Sequence, residues 1–138
     1  MVIAVSACLL GHNCKYNGGN NRNEKLLEYL KGHTVLPICP ETLGGLPTPR
    51  VPSEISDGRV INKEGKDVTE EFVSGAHKAL EAVKSGGAEM IILQSRSPSC
   101  GAKNVYDGTF SGRTVDGKGI FAALAEENGY RIIDVEDL

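Results

Sequence analysis

The sequence Met90–Gly101, MIILQSRSPSCG, decides the fold of this 138-residue chain. Its first four residues are apolar, and so short a run is typical of a strand that is buried on both faces of a parallel sheet. Polar residues follow at once from Gln94 onward, and they bring hydroxyls, one guanidinium and the thiol of Cys100. Because open α/β sheets bind ligands beyond the carboxyl ends of their strands, the pattern predicts a site directly after this strand.

Two further cysteines stand in the same relation to apolar runs. Cys8 follows VIAVSA and Cys39 follows TVLPI, so each lies at the end of a predicted strand. Segments with helical spacing separate the strands, and this alternation predicts a parallel sheet covered by helices. Right-handed crossovers place the loops after such strands at one edge of the sheet. We therefore expect Cys8, Cys39 and Cys100 to lie close together, in spite of their separation in sequence.

The element pattern predicts one domain, residues 1–138, with a three-layer Rossmann-like α/β fold. A mostly parallel sheet of about four strands is expected, flanked by helices over Asn23–Lys31, from a capping box at Asp67 and Glu70 to Gly86, and over Gly119–Glu127. The proline-rich segment Cys39–Glu54, CPETLGGLPTPRVPSE, is too rich in proline and glycine for long regular structure. A long, rigid loop inside a domain is more often functional than a linker.

Composition indicates an ordinary globular chain, with 40% hydrophobic residues, 24% charged residues and a net charge of −3. The apolar N-terminus lacks a basic leader and is too short to span a membrane. We therefore expect a cytoplasmic protein with no membrane partner. Four cysteines are too few and too dispersed for a disulfide scaffold, so ligands, nucleophiles or inert core residues are expected.

Three converging thiolates would form a soft, anionic site. Such ligands select zinc, cuprous copper or an iron–sulfur cluster rather than magnesium or calcium. Three protein ligands also leave one coordination position free, as catalytic sites require. The bland alternative is that the cysteines are buried and pack as small hydrophobic residues. The H-x-E and P-C-x-x-C pattern of zinc deaminases is absent from the sequence.

Cys14 differs from the other three cysteines, because it lies in a polar loop with no strand before it. A spare ligand, a redox partner for Cys8 and a bystander are the alternatives, and the sequence favours the bystander. We expect Cys14 to stand apart from the other thiols or at the rim of the site. The three histidines lack the spacing of metal ligands and are not assigned to the site.

Five polar residues are candidates for work beside the thiols. Glu41 suits a general acid or base, or else a cap for loop amides. Ser97 and Ser99 offer hydroxyl donors next to Cys100, with turn-stabilising hydrogen bonds as the alternative. Arg50 and Arg96 are candidates for gripping a carbonyl or phosphate of the substrate, whereas arginines in loops are usually solvated.

The motifs SACLLG, YNGG, CPETLGGLPTPR, DVTEEFVSGA, SPSCG and YDGTF, in this order over nearly the whole chain, resemble the DUF523 family, which includes the thiouracil desulfidases. The resemblance implies a small α/β enzyme with a [4Fe-4S] cluster bound by three cysteines. The fourth iron of such a cluster is free to take sulfur from a thiolated pyrimidine, which leaves the oxo base.

Carried over by motif, the cluster ligands are Cys8, Cys39 and Cys100. Glu41 and Ser97 resemble the positions that handle the proton and orient the substrate. A thiolated nucleobase or nucleoside is the implied substrate; thiolated tRNA stays open, although the acidic charge disfavours a large RNA. The alternatives are a non-catalytic redox or sulfur-binding module and a zinc hydrolase that uses the same three thiolates.

Overall fold

The computed structural model describes all residues of the chain, 1–138, and contains eight strands and four α-helices. The strands are β1 (Val2–Ser6), β2 (Thr34–Ile38), β3 (Ser53–Ser56), β4 (Arg59–Asn62), β5 (Met90–Leu93), β6 (Asn104–Tyr106), β7 (Thr114–Asp116) and β8 (Arg131–Asp134). The α-helices are α1 (Glu24–Tyr29), α2 (Pro40–Leu43), α3 (Thr69–Gly86) and α4 (Ile120–Glu127). None of the helices combines the length and the apolar character that crossing a membrane requires.

A sheet of four parallel strands forms the centre of the fold, in the order β2-β1-β5-β8. Of its two central strands, β5 is buried along its whole length, because alternate side chains enter two different cores. Ile91 and Leu93 pack with α3 and α4, whereas Met90 and Ile92 pack with Leu26 of α1. The predicted three-layer α/β fold with a parallel sheet of about four strands is confirmed.

The order of the strands reverses between β1 and β5. The chain goes from β1 outward to β2, and then crosses to β5 on the other side of β1. A crevice forms at such a switch point, because the loops beyond the two central strands run to opposite sides. The fold therefore provides a cleft beyond the carboxyl ends of β1 and β5.

Helix α2 lies in the proline-rich segment and packs directly on α3 through two glycines. A Cβ atom added to Gly75 would overlap the carbonyl oxygen of Pro40, and one added to Gly44 would overlap the carbonyl oxygen of Glu71. Only glycine permits this close approach of two backbones. The contact sets the position of Cys39 and Glu41, which flank Pro40 in sequence.

The predicted element bounds hold to within about two residues for the sheet and the long helices. Three features differ. The capping box at Asp67 and Glu70 does not form, because Asp67 accepts a hydrogen bond from the backbone amide of Thr69 at 2.9 Å and α3 begins at Thr69. The sequence pattern predicts neither helix α2 nor the β6–β7 hairpin. Prolines interrupt the helical pattern around α2, and the two strands of the hairpin are short and mostly polar.

Candidate functional site

A cavity of about 600 Å³ lies beyond the carboxyl ends of β1, β2 and β5. Its wall includes residues 6–8 at the end of β1, residues 38–41 at the end of β2 and residues 94–100 after β5. All four cysteines line it, and all four are free thiols. The expectation that Cys8, Cys39 and Cys100 share one cleft is therefore met by their positions in the structure.

Cys8 occupies the short 3-10 turn Ala7–Leu10 that directly follows β1. The side-chain amide of Asn21 donates a hydrogen bond to its sulfur at 3.5 Å. A hydrogen bond from the Cys14 thiol, supported by the one from Asn21, outweighs burial and lowers the pKa of Cys8 to about 7. A substantial part of Cys8 is therefore thiolate near neutral pH.

Cys39 is the residue that precedes α2, and Pro40 supplies a fixed φ angle for the first helical position. The hydroxyl of Thr42, three residues further on, lies 2.9 Å from the Cys39 sulfur. Hydrogen bonds from Cys14 and then from Thr42 lower the pKa of Cys39 to about 6. The contact of Thr42 with Cys39 could be predicted from the sequence, because side chains three residues apart meet on one side of a helical turn.

Cys100 is the most enclosed of the four thiols, with 5% of its surface exposed. Burial raises its pKa to about 12, although hydroxyl groups of Ser6 and Ser99 lie near the sulfur. A bound cation would reverse this preference, because it stabilises the thiolate directly. Cys100 is thus a buried sulfur ligand whose thiolate form would depend on a bound cation.

Cys14 does not stand apart from the other thiols, so this part of the expectation is wrong. It lines the cavity with the other three cysteines, and its single thiol proton can be donated to the sulfur of Cys8 or of Cys39, but not to both at once. Either bond raises the pKa of Cys14 itself. Strand positions do not predict where Cys14 lies, because its position depends on how the asparagine–glycine loop (His12–Asn23) folds back over the cavity.

Glu41 and two serines form a hydrogen-bonded chain on the cavity wall. Ser99 donates from its hydroxyl to Oε2 of Glu41 at 2.8 Å, and the hydroxyl oxygens of Ser97 and Ser99 are 3.0 Å apart. Each hydroxyl has one proton, so Ser97 donates to Ser99 while Ser99 donates to Glu41. The chain directs both hydroxyl protons toward the carboxylate.

Ser97 also stabilises the turn that carries Cys100. Its hydroxyl oxygen accepts hydrogen bonds from the backbone amides of Ser99 at 3.2 Å and Cys100 at 3.1 Å. The turn-stabilising alternative therefore describes what Ser97 does in this structure. Its predicted contact with a substrate stays a prediction, as does that of Ser99, which is almost fully buried.

Arg50 and Arg96 both line the cavity, and both are paired with protein carboxylates. Arg50 donates to Oε1 of Glu41 at 3.0 Å, and only 7% of its side chain is exposed. Arg96 has a φ of 60° and donates to Glu136 at 2.9 Å, with 36% of its side chain exposed. Neither guanidinium group is free of a protein partner in this structure. The substrate contacts predicted for the two arginines stay predictions. Arg96 is the more accessible of the two.

The fold and the cavity define a class of protein, a small α/β domain with a thiol-lined site at the carboxyl edge of a parallel sheet. Comparison with known proteins makes this specific. The 2-thiouracil desulfurase family matches residues 3–137, and the chain belongs to that family. Its membership identifies the chain as an enzyme of the desulfidase type, as the resemblance predicted.

Two relatives align with almost the whole length of the chain. The Bacillus subtilis (strain 168) protein YbbK, described as uncharacterized, is 40% identical over 147 aligned positions, which cover 99% of this chain and 97% of YbbK. A solved structure of the [4Fe-4S]-dependent thiouracil desulfidase TudS is 39% identical and superposes with a TM-score of 0.92. That match covers 99% of this chain and 91% of the TudS chain.

Proposed function

We propose that this protein replaces the thiocarbonyl sulfur of a thiolated pyrimidine, of the thiouracil or thiouridine type, with oxygen. The observation that carries the proposal is that three strand-end thiols and the carboxylate of Glu41 line one cavity in a chain of the desulfurase family. The net reaction is a hydrolysis. Water provides the oxygen and two protons, hydrogen sulfide leaves, and no electrons are exchanged.

The donor set suits a [4Fe-4S] cluster held by Cys8, Cys39 and Cys100. Thiolates are the usual ligands of such clusters, and two of these thiols have lowered pKa values. When bound, the cluster supplies a Lewis-acidic iron without a cysteine ligand, which suits a soft sulfur atom. The TudS relative is described as [4Fe-4S]-dependent, which supports the same cofactor here.

A single zinc ion on the same thiols has less support. Zinc needs each thiolate sulfur at about 2.3 Å from one point. No three His, Cys, Asp or Glu side chains are grouped in this structure so that they could hold one metal ion. Cysteines at separate points of a cavity wall suit a cluster better, because each cysteine then binds a different iron.

Glu41 is assigned to proton transfer. Its carboxylate lies two residues after Cys39 and on the same cavity wall, so it can accept a proton from the attacking water and return one to the leaving sulfur. Ser99 occupies Oε2 of Glu41 and extends the contact to Ser97. Ser97 is assigned to orienting the pyrimidine, for which its hydroxyl proton would turn from Ser99 to the substrate.

The substrate is a small molecule rather than a large RNA in this proposal. A cavity of about 600 Å³ lies within the range of small-molecule pockets and accommodates a nucleobase or a nucleoside. The net charge of −3 gives no general attraction for the phosphates of tRNA. A cytoplasmic location fits such a substrate and an oxygen-sensitive cofactor.

The test is anaerobic purification followed by incubation with 2-thiouracil, 4-thiouracil and the matching thionucleosides. We expect a brown protein with broad visible absorbance and bound iron, which forms the oxo base and sulfide in equal amounts. A colourless zinc protein would overturn the cofactor. An iron-containing protein that turns over none of these compounds would overturn the reaction in favour of a sulfur-binding or redox module.

A further inference from the structure

We propose that Arg50 is a positioning residue that fixes the orientation of Glu41 and ties the proline-rich segment to the asparagine–glycine loop. This inference rests on the proposed function, because it concerns the carboxylate assigned there to proton transfer. It replaces the substrate contact that the sequence predicted for Arg50.

Two protein side chains hold the Glu41 carboxylate. Arg50 donates from Nε to Oε1 at 3.0 Å, and Ser99 donates to Oε2 at 2.8 Å. The side chains of Arg50 and Glu41 are only 7% and 16% exposed, so water competes little for these bonds. With a donor on each oxygen, the plane of the carboxylate is fixed relative to the cavity.

The same guanidinium also reaches a different segment of the chain. Nη2 of Arg50 donates to the carbonyl oxygen of Cys14 at 2.9 Å. The backbone amide of Arg50 donates to the carbonyl oxygen of Tyr16 at 2.7 Å. Two hydrogen bonds from one residue thus hold the loop that carries the fourth thiol of the cavity.

The Nη1 donors of Arg50 are also paired within the protein. Nη1 donates to the carbonyl oxygen of Pro47 at 3.2 Å and to the hydroxyl of Thr48 at 3.0 Å. Four of the five N–H donors of a guanidinium are therefore in use within the protein. A group so fully engaged holds other protein groups in place, and little of it is available to a substrate.

The arrangement requires arginine rather than any cation. The guanidinium is a planar fork whose donors point in several fixed directions, whereas lysine presents a compact point charge. An Arg50→Lys variant keeps the positive charge, but it cannot reach Glu41, Cys14 and Thr48 together. Lysine at this position therefore separates the effect of charge from that of geometry.

The test compares Arg50→Ala and Arg50→Lys with Arg59→Ala. Arg59 also pairs with a carboxylate, that of Asp67, but both side chains are largely exposed and lie outside the cavity wall. Misplacing a reacting group by about 1 Å can cost roughly 10²-fold in rate. We expect kcat for thiouracil to fall about 10²-fold in both Arg50 variants, with little change in KM, and to be unchanged in Arg59→Ala.

Combination with Glu41→Gln shows whether Arg50 acts through Glu41. If it does, Arg50→Ala lowers kcat by less than about 3-fold when Glu41→Gln is already present, because the two effects are not additive. Guanidinium ion added to Arg50→Ala should restore part of the lost rate and should do nothing for Arg50→Lys. A full additional loss in the double variant would overturn the positioning role.

Backbone hydrogen exchange of the cluster-free protein provides a readout without activity. Loss of the Arg50 contacts should speed exchange of the amides at positions 12–19 in both Arg50 variants and not in Arg59→Ala. Unchanged exchange in both variants would overturn the tie between the two segments. A wild-type protein that turns over no thiopyrimidine, while the exchange result is as expected, would instead count against the proposed function alone.

Discussion

The two walls of the cavity are built in different ways. The β5 loop (Gln94–Gly101) is held by the main chain, since the amides of Ile120 and Phe121 at the start of α4 donate to the carbonyls of Pro98 and Ser99 at 2.8 and 2.9 Å. These amides have no hydrogen-bond partner within α4. The loop carbonyls accept their hydrogen bonds, and the same bonds hold the loop against the helix. The opposite wall, in the proline-rich segment, depends on the side chain of Arg50 and on the glycine contact between α2 and α3.

Because of this difference, substitutions in the two walls should affect stability and the reaction to different extents. The wall that carries Ser97, Ser99 and Cys100 forms together with the sheet and α4, so a change there affects folding and chemistry together. The wall that carries Cys39 and Glu41 is attached by the glycine contact between α2 and α3 and by a few side chains. Single substitutions in that wall can therefore change the reaction while the fold persists.

The largest expected effect is that of Glu41→Gln, in the wall held by side chains. This variant keeps the size of the residue but removes its charge, and general acid–base groups contribute about 10²–10⁴-fold in rate. We expect kcat to fall by that factor, with the visible absorbance of the cluster unchanged. Glu81→Gln, on the exposed side of α3, is the matched control. A rate near that of wild type would contradict the assignment of Glu41.

A smaller effect is expected for Ser97→Ala, in the wall held by the main chain. Loss of a hydroxyl that holds a buried partner costs about 1–3 kcal/mol. We expect this loss in kcat/KM, together with a lower urea midpoint, because Ser97 also accepts two backbone amides. If Ser97→Ala lowers the rate at saturating substrate more than Glu41→Gln does, the two roles must be exchanged.

Alanine at Gly75 or Gly119 tests each wall through its packing. A Cβ at Gly119 would lie 2.5 Å from the carbonyl carbon of Ser99, and one at Gly75 would overlap the carbonyl oxygen of Pro40. Overpacking typically costs about 1–3 kcal/mol of unfolding free energy. Urea unfolding of the cluster-free variants measures this loss. Gly117→Ala, which meets a neighbour only at an ordinary 3.6 Å, should leave the midpoint unchanged.

The smallest effect concerns Asp67, which precedes the helix on which α2 packs. Hydrogen bonds from Thr69 and then Arg59 lower the pKa of Asp67 to about 2, from an ordinary value of 3.8. A carboxyl group whose pKa is lower in the folded protein than in the unfolded protein stabilises the fold at pH values above its unfolded pKa. This contribution is lost as pH falls from about 4 to about 2. We expect Asp67→Asn to have a slightly lower urea midpoint at pH 7, with a difference that shrinks over that window. A difference that does not depend on pH would contradict this cause.

The sequence predicted the fold and the edge of the sheet that bears the site, because these follow from local periodicity and the hand of crossovers. Cys8, Cys39 and Cys100 could be grouped for the same reason, since each follows a strand. Cys14 and Arg50 could not be placed, because they meet across 36 residues through a single side-chain contact. No periodic pattern encodes such a contact, although it helps to attach the wall that carries Cys39 and Glu41.

The central claim is that Cys8, Cys39 and Cys100 hold an iron–sulfur cluster in this cavity. The most direct measurement is the iron and sulfide content of the four single Cys→Ser variants after anaerobic reconstitution. We expect Cys8→Ser, Cys39→Ser and Cys100→Ser to lose both iron and sulfide, and Cys14→Ser to retain both. Retention in any of the first three, or equal loss in Cys14→Ser, would contradict the assigned set of ligands.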